Sequence, residues 1–304
     1  MENRNFLHYF LVTLKGMAMG AADVVPGVSG GTIAFISGIY EELITSINNI
    51  DLSLFKTLKE KGLKSAWKQL NGNFLLALFL GIGISVLSLA KLVSWLLENK
   101  PILIWSFFFG LVIASILLVG KEVKKWNLAT IVVMIIGAGV AYYITTLPPS
   151  DNVESLPFLF LSGAVAVCAM ILPGISGAFI LVLLGSYKTI IDALHNLDFK
   201  IIAVVGVGAI FGLLSFARLL KWMFNHYKNI TLALLTGFII GSLNKIWPWK
   251  RVLETKAIGK KIITIDENVS PFTFEGNNQL VYALIAAIVG FSLIFILERT
   301  ASNK

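Results

Sequence analysis

The chain has 304 residues, 57% of them hydrophobic and 14% charged, with a formal net charge of +8. Soluble domains carry about 25% charged residues, so a water-soluble enzyme is excluded. At about 20 apolar residues per membrane span, the length holds at most about ten spans with short connections. Lys and Arg fall in short clusters between apolar runs, as loop charges of a membrane protein do, and this leaves no basic face for nucleic acid.

Five stretches, 69–90, 101–120, 126–150, 155–187 and 276–297, contain no Asp, Glu, Lys or Arg, the pattern expected where a charge at mid-bilayer is costly. The first ten residues have no long apolar segment ending in a small-residue cleavage site, so the N-terminus reads as retained. The spacing predicts an all-α polytopic membrane protein. Helices are expected over 6–25, 29–48, 73–97, 102–120 and 128–147, then over 158–172, 176–194, 201–223, 230–247 and 280–297.

This order is one motif written twice. Pro26-Gly27-Val28-Ser29-Gly30-Gly31 returns as Pro173-Gly174-Ile175-Ser176-Gly177-Ala178, and the same offset of 147 pairs Gly16 with Gly163, Gly38 with Gly185, Tyr40 with Tyr187 and Asp51 with Asp198. Downstream the offset falls to 127, aligning 88–95 with 215–222 and Gly110 with Gly237. The difference is an extra basic loop in the first half, around Lys56, Lys59, Lys61, Lys64 and Lys68. Internal symmetry of this kind marks transporter folds. Residues 1–150 and 151–304 are therefore expected to be two inverted repeats of one membrane domain, each with a broken, re-entrant hairpin and three spans. Basic loops at 56–68 and 121–125, against a 145–157 loop without Lys or Arg, place both termini in the cytoplasm. The 250–278 segment then falls outside despite its lysines.

Pro-Gly inside an apolar run stops a helix, and Ser29 or Ser176 is expected to cap the next. A helix beginning within the bilayer presents unpaired N–H groups and a partial positive charge. Gly30, Gly31 and Gly177 would let an anion approach, and the hydroxyls of Ser29, Thr32 and Ser176 can donate to its oxygens. The same Gly, Ser and Pro residues also serve close helix packing. Lys91 and Arg218, paired by the repeat, are candidate partners for an anionic headgroup or snorkelling side chains. Asp23 and Glu41 occur in one half only and are the candidates for proton or cation coupling, with Glu41 and Glu42 also suiting a solvated helix end. A lone cysteine, Cys168, excludes an internal disulfide. No metal-ligand spacing or nucleotide loop is present, so no cofactor is expected.

The run from Gly20 to Thr32, with Gly38-Ile39-Tyr40-Glu41 after it, and the second signature, Leu172 to Ala178 with Gly185-Ser186-Tyr187, resemble the bacterial polyprenyl-phosphate transporter family of the PopT type. The resemblance covers essentially the whole chain. It implies a plasma-membrane flippase, not an enzyme, that returns undecaprenyl phosphate from the outer to the inner leaflet for cell-envelope polymer synthesis. Two readings stand beside it: a channel or secondary carrier for a small inorganic anion using the same helix ends, and an intramembrane serine protease built on Gly-x-Ser-Gly. The protease reading needs a base beside the serine, and His8, His195 and His226 fall near predicted helix ends.

Overall fold

The computed structural model describes residues 6–24, 29–150, 152–258 and 261–302. The described residues are helical apart from loops and one β-hairpin. In chain order they form α1 (Phe6–Val24), α2 (Gly30–Ile36), α3 (Tyr40–Asn48), α4 (Leu52–Leu70), α5 (Gly72–Asn99), α6 (Pro101–Glu122), α7 (Leu128–Thr146), α8 (Leu156–Ile171), α9 (Gly177–Leu183), α10 (Tyr187–Asn196), α11 (Phe199–Ser242), β1 (Lys250–Ile258), β2 (Lys261–Asn268) and α12 (Leu280–Ser302). This is the all-α polytopic architecture that the apolar runs imply. Helices α5, α6, α7 and α11 each hold a stretch long and apolar enough to cross a membrane.

Two expectations need correction. The helices expected over 29–48 and 176–194 are each two helices, α2 with α3 and α9 with α10, the latter pair bent by 108°. Gly38 and Gly185 make the turns with φ of +74° and +68°, a conformation that disfavours any residue with a Cβ. The basic loop of the first half is instead the helix α4, capped by Asp51 and kinked at Gly62. The two spans expected over 201–223 and 230–247 are present as the two parts of α11, a run of 44 residues broken at Tyr227 (φ −135°, ψ 44°). At 1.5 Å per residue α11 runs about 66 Å, twice a bilayer's hydrocarbon thickness, so the break divides it into two crossing lengths. The 250–278 segment begins as the antiparallel hairpin β1–β2, bulged between Val252 and Glu254.

The hairpin is fixed by partly buried charge. Lys250 Nζ lies 3.2 Å from Asp266 Oδ2, donates to Lys245 O at 2.7 Å and sits 4.5 Å over the Trp105 ring. Lys245 lies 3.7 Å from the same carboxylate. Burial pulls the Lys250 ammonium below its ordinary value, against the opposing pull of Asp266.

Helices pack through glycines, and the contacts recur at the repeat offsets. A Cβ on Gly16 would strike Leu78 O, and one on Gly163 would strike Val205 O. Gly81 abuts Thr13 O as Gly208 abuts Phe160 O. Thus α1 packs on α5 as α8 packs on the first part of α11. The last helices cross over. Gly110 of α6 abuts Ala287 of α12, while Gly237 of α11 abuts Met134 of α7. Gly290 meets Phe107 O and Gly137 meets Leu234 O. Each half therefore seats the other half's final helix, at a further offset of 153 between α7 and α12.

Candidate functional site

The second motif is described in full. Helix α8 ends at Ile171, Pro173 has no N–H to continue it, and Gly174 takes φ of +87° before α9 begins. A Cβ on Gly174 would meet Phe238 O at 2.8 Å and Ser242 Oγ at 3.0 Å, both on α11. Of the first motif, Pro26, Gly27 and Val28 lie outside the described residues. From Ser29 onward the expected start of a new helix is present. Ser29 is extended, its Oγ accepts from Gly31 N at 3.1 Å, and its carbonyl accepts from Thr32 N at 2.9 Å.

The two motifs meet. Ser29 Oγ lies 3.3 Å from both Met170 O and Leu172 O, to one of which it donates, and Thr32 Oγ1 accepts from Gly174 N at 2.9 Å. Ser29 and Thr32 are each 1% exposed. A Cβ on Gly31 would lie 2.6 Å from Ile171 O. The close approach that glycine permits is used here by the other motif's backbone.

The two helix ends differ in what lies over them. In the first half, Asp23 Oδ1 accepts from Gly30 N at 2.6 Å, a charge-assisted bond at the positive end of α2. In the second, the aligned residue Met170 packs its Cγ against Gly177, and a thioether offers no such acceptor. Ser176, expected to cap α9, makes no side-chain cap.

The other charged candidates lie away from this junction. Glu41 Oε1 pairs with Lys228 Nζ at 2.6 Å, both side chains about half exposed, and Glu42 Oε1 accepts from Asn71 Nδ2. Lys91 is exposed on α5, and Arg218 is exposed on α11 next to Ala217, whose carbonyl accepts from Asn48. Arg218 adds a small downward pull on the Asp51 carboxylate, which is held below its usual range mainly by the Ser53 hydroxyl and the Leu54 N–H. Among the described residues, neither cation is bonded to a motif residue. His195 and His226 each use Nδ1 on a carbonyl of their own helix, and the partners of Ser29 Oγ are backbone groups.

One residue escaped the sequence reading. Lys15, half-buried inside α1, donates to Ser37 O at 2.7 Å and so ties α1 to the end of α2. Its repeat equivalent, Ser162, forms a 2.7 Å bond with Ser186 Oγ at the mouth of the second hairpin. A lysine nine residues into an apolar helix was the available signal.

Helices broken inside apolar runs and meeting tip to tip, among helices long enough to span, define a multi-pass membrane protein. Residues 19–264 match the undecaprenyl phosphate translocase-like family. The chain belongs to that family. It is 44% identical over 303 residues, 98% of each chain, to a polyprenyl-phosphate transporter of Vibrio cholerae. It is 33% identical over 253 residues to a polyprenyl-phosphate transporter of Staphylococcus aureus, covering 77% of this chain and 85% of that one. No solved structure matches the chain.

Proposed function

We propose that this protein carries polyprenyl phosphate across the plasma membrane, returning it from the outer to the inner leaflet, with the phosphate passing the junction of the two motifs. The meeting of Ser29 and Thr32 with Met170–Gly174 carries the reading. It gathers two apolar-embedded helix starts, with Ser29, Gly30, Gly31, Thr32, Ser176 and Gly177 as the phosphate-facing groups. Lys91 and Arg218 then serve the headgroup before and after the crossing rather than at the junction. Family membership and the two relatives support the substrate class.

The recurrence of helix contacts at the repeat offsets supports treating 1–150 and 151–304 as equivalent halves, and the loop charges favour an inverted pair with both termini cytoplasmic. In this reading Asp23 is the internal competitor of the phosphate for Gly30 N–H. Protonating or displacing its carboxylate opens the α2 end, which couples a proton to transport. Glu41, held by Lys228, is the weaker coupling candidate.

Leaflet-resolved movement of undecaprenyl phosphate by the purified protein in proteoliposomes tests the function. Net movement that excess inorganic phosphate fails to block is the expected result. Transport of inorganic phosphate alone would replace the lipid reading with that of a small-anion carrier.

A further inference from the structure

Gly120 and Trp247 occupy equivalent places in the two halves, 127 positions apart, yet their surroundings differ. Trp247 meets the Phe109 ring edge-on with centroids 5.4 Å apart, packs on Trp249, and donates its indole N–H to Val269 O. Around it the helix ends are filled. At Gly120 the nearest atom to an added Cβ belongs to Trp126 at 3.9 Å, and Phe109 has Thr236 as its equivalent. The space left between α6, α7, α11 and α12 is an open groove of about 490 Å³.

The groove is apolar with a cation beside it. Leu117, Trp126, Met134, Ile240 and Phe295 line it together with Lys121. Lys121 Nζ sits 5.5 Å over the Phe295 ring and has no carboxylate partner among the described residues. Lys124 and Lys125 follow, both exposed. Leu117 and Trp126 are about half exposed, so the apolar wall opens outward. Thr236 and Ile240 line the groove from one face of α11, while Phe238 and Ser242 on another face pack against Gly174 of the second motif.

We propose that this groove is a docking site for the polyprenyl phosphate itself, present at one end of the bundle only. Lys121 receives the phosphate and the groove holds the isoprene units nearest to it. The volume suits the start of a chain rather than a whole polyprenol, the remainder lying in the bilayer. A phosphate monoester carries a charge of about −1.5 to −2 near neutral pH, more than the single charge of a phosphodiester lipid, and the run 121–125, with Lys121, Lys124 and Lys125 against the one carboxylate of Glu122, favours the former. The proposal rests on the substrate reading above and adds to it a site on the far face of a helix that touches the motif.

The test uses full-length protein in phosphatidylcholine vesicles with a diazirine-bearing polyprenyl phosphate, the cross-links being mapped by mass spectrometry. Expected are labels on Trp126, Met134 or Phe295 that excess polyprenyl phosphate displaces and equal phosphatidylglycerol does not. G120W, which copies the equivalent residue, should cut that labelling at least about tenfold, the equivalent of roughly 1.4 kcal/mol. K121Q, which leaves the packing alone, should weaken it severalfold. Labelling only elsewhere, equal displacement by phosphatidylglycerol, or unchanged labelling in K121Q and in folded G120W overturns the groove site. Wild-type protein that moves undecaprenyl phosphate while the groove stays unlabelled overturns the groove alone. Wild-type protein that moves none overturns the substrate reading beneath it.

Discussion

Asp23 Oδ1 accepts the Gly30 N–H at 2.6 Å across the break between α1 and α2, while the aligned Met170 covers Gly177 without an acceptor. One helix start is therefore occupied by a carboxylate of the chain itself and the other is not. Asp23→Asn keeps an oxygen facing Gly30 and removes the charge. Undecaprenyl phosphate transport is expected to vary with pH in the wild type and to be flat in D23N, with a rate at the wild-type optimum lower by about tenfold, or roughly 1.4 kcal/mol of barrier. Superimposable pH profiles in the two proteins would remove Asp23 from coupling.

The two serines separate scaffolding from binding. Ser29 Oγ is bonded within its own motif and toward the other, whereas Ser176 makes no cap. Ser29→Ala is expected to lower stability by about 1 kcal/mol, the usual worth of an N-cap, and Ser176→Ala to leave the melting temperature unchanged. Both should slow lipid transport. If S176A transports at the wild-type rate, Ser176 has no part in the phosphate path.

Packing glycines should be sharply position-dependent. Gly110 lies against Ala287 O, but a Cβ on Gly139 of α7 meets nothing within 4 Å. Gly110→Ala is expected to cost about 1–3 kcal/mol through overpacking. Gly139→Ala should be neutral or should gain up to about 1 kcal/mol from helix propensity. Thermal unfolding in detergent, read for both variants side by side, checks the contrast, and equal shifts would refute the contact.

Two acidic residues near the hairpin should differ as well. Asp266 faces Lys245 and Lys250 with side chains about one-fifth exposed or less, whereas Arg251 and Glu275 pair at 3.4 Å in the open. Asp266→Asn leaves the buried Lys250 ammonium short of a counter-charge, so hydrogen exchange across β1 and β2 should accelerate markedly. Glu275→Gln removes an exposed pair worth about 0–1 kcal/mol and should barely change exchange. As pH rises toward the ordinary lysine value of 10.5, the folded chain gives up the Lys250 proton before the unfolded chain does. The unfolded state then binds more protons, and hairpin stability should rise through that interval.

Much of this architecture is legible in the sequence because the repeat aligns residues with the same neighbours. Gly16 with Gly163 and Gly110 with Gly237, paired by offset alone, abut carbonyls at matching positions. Periodicity does not reveal partners, so nothing in the apolar run of α7 says that it lies on α11. The lysines of α4 read as loop because charge obscures an amphipathic helix, and its exposed Leu52, Phe55, Leu63 and Trp67 are the missed signal. Asp23 is singled out by its rarity, but its seat on Gly30 is a through-space approach that composition does not encode. The two cations that the repeat paired, Lys91 and Arg218, share a register without sharing the junction.

The crossing of the final helices bears on how the chain is made. Gly110 and Gly290 bring α6 and α12 together across more than half of the sequence, so α6 leaves the ribosome long before its partner exists. Its small-residue face must wait in the lipid, or against a temporary companion, until α12 emerges. The early half is thus kinetically incomplete during synthesis, which makes the last span to be inserted the step that closes the whole assembly.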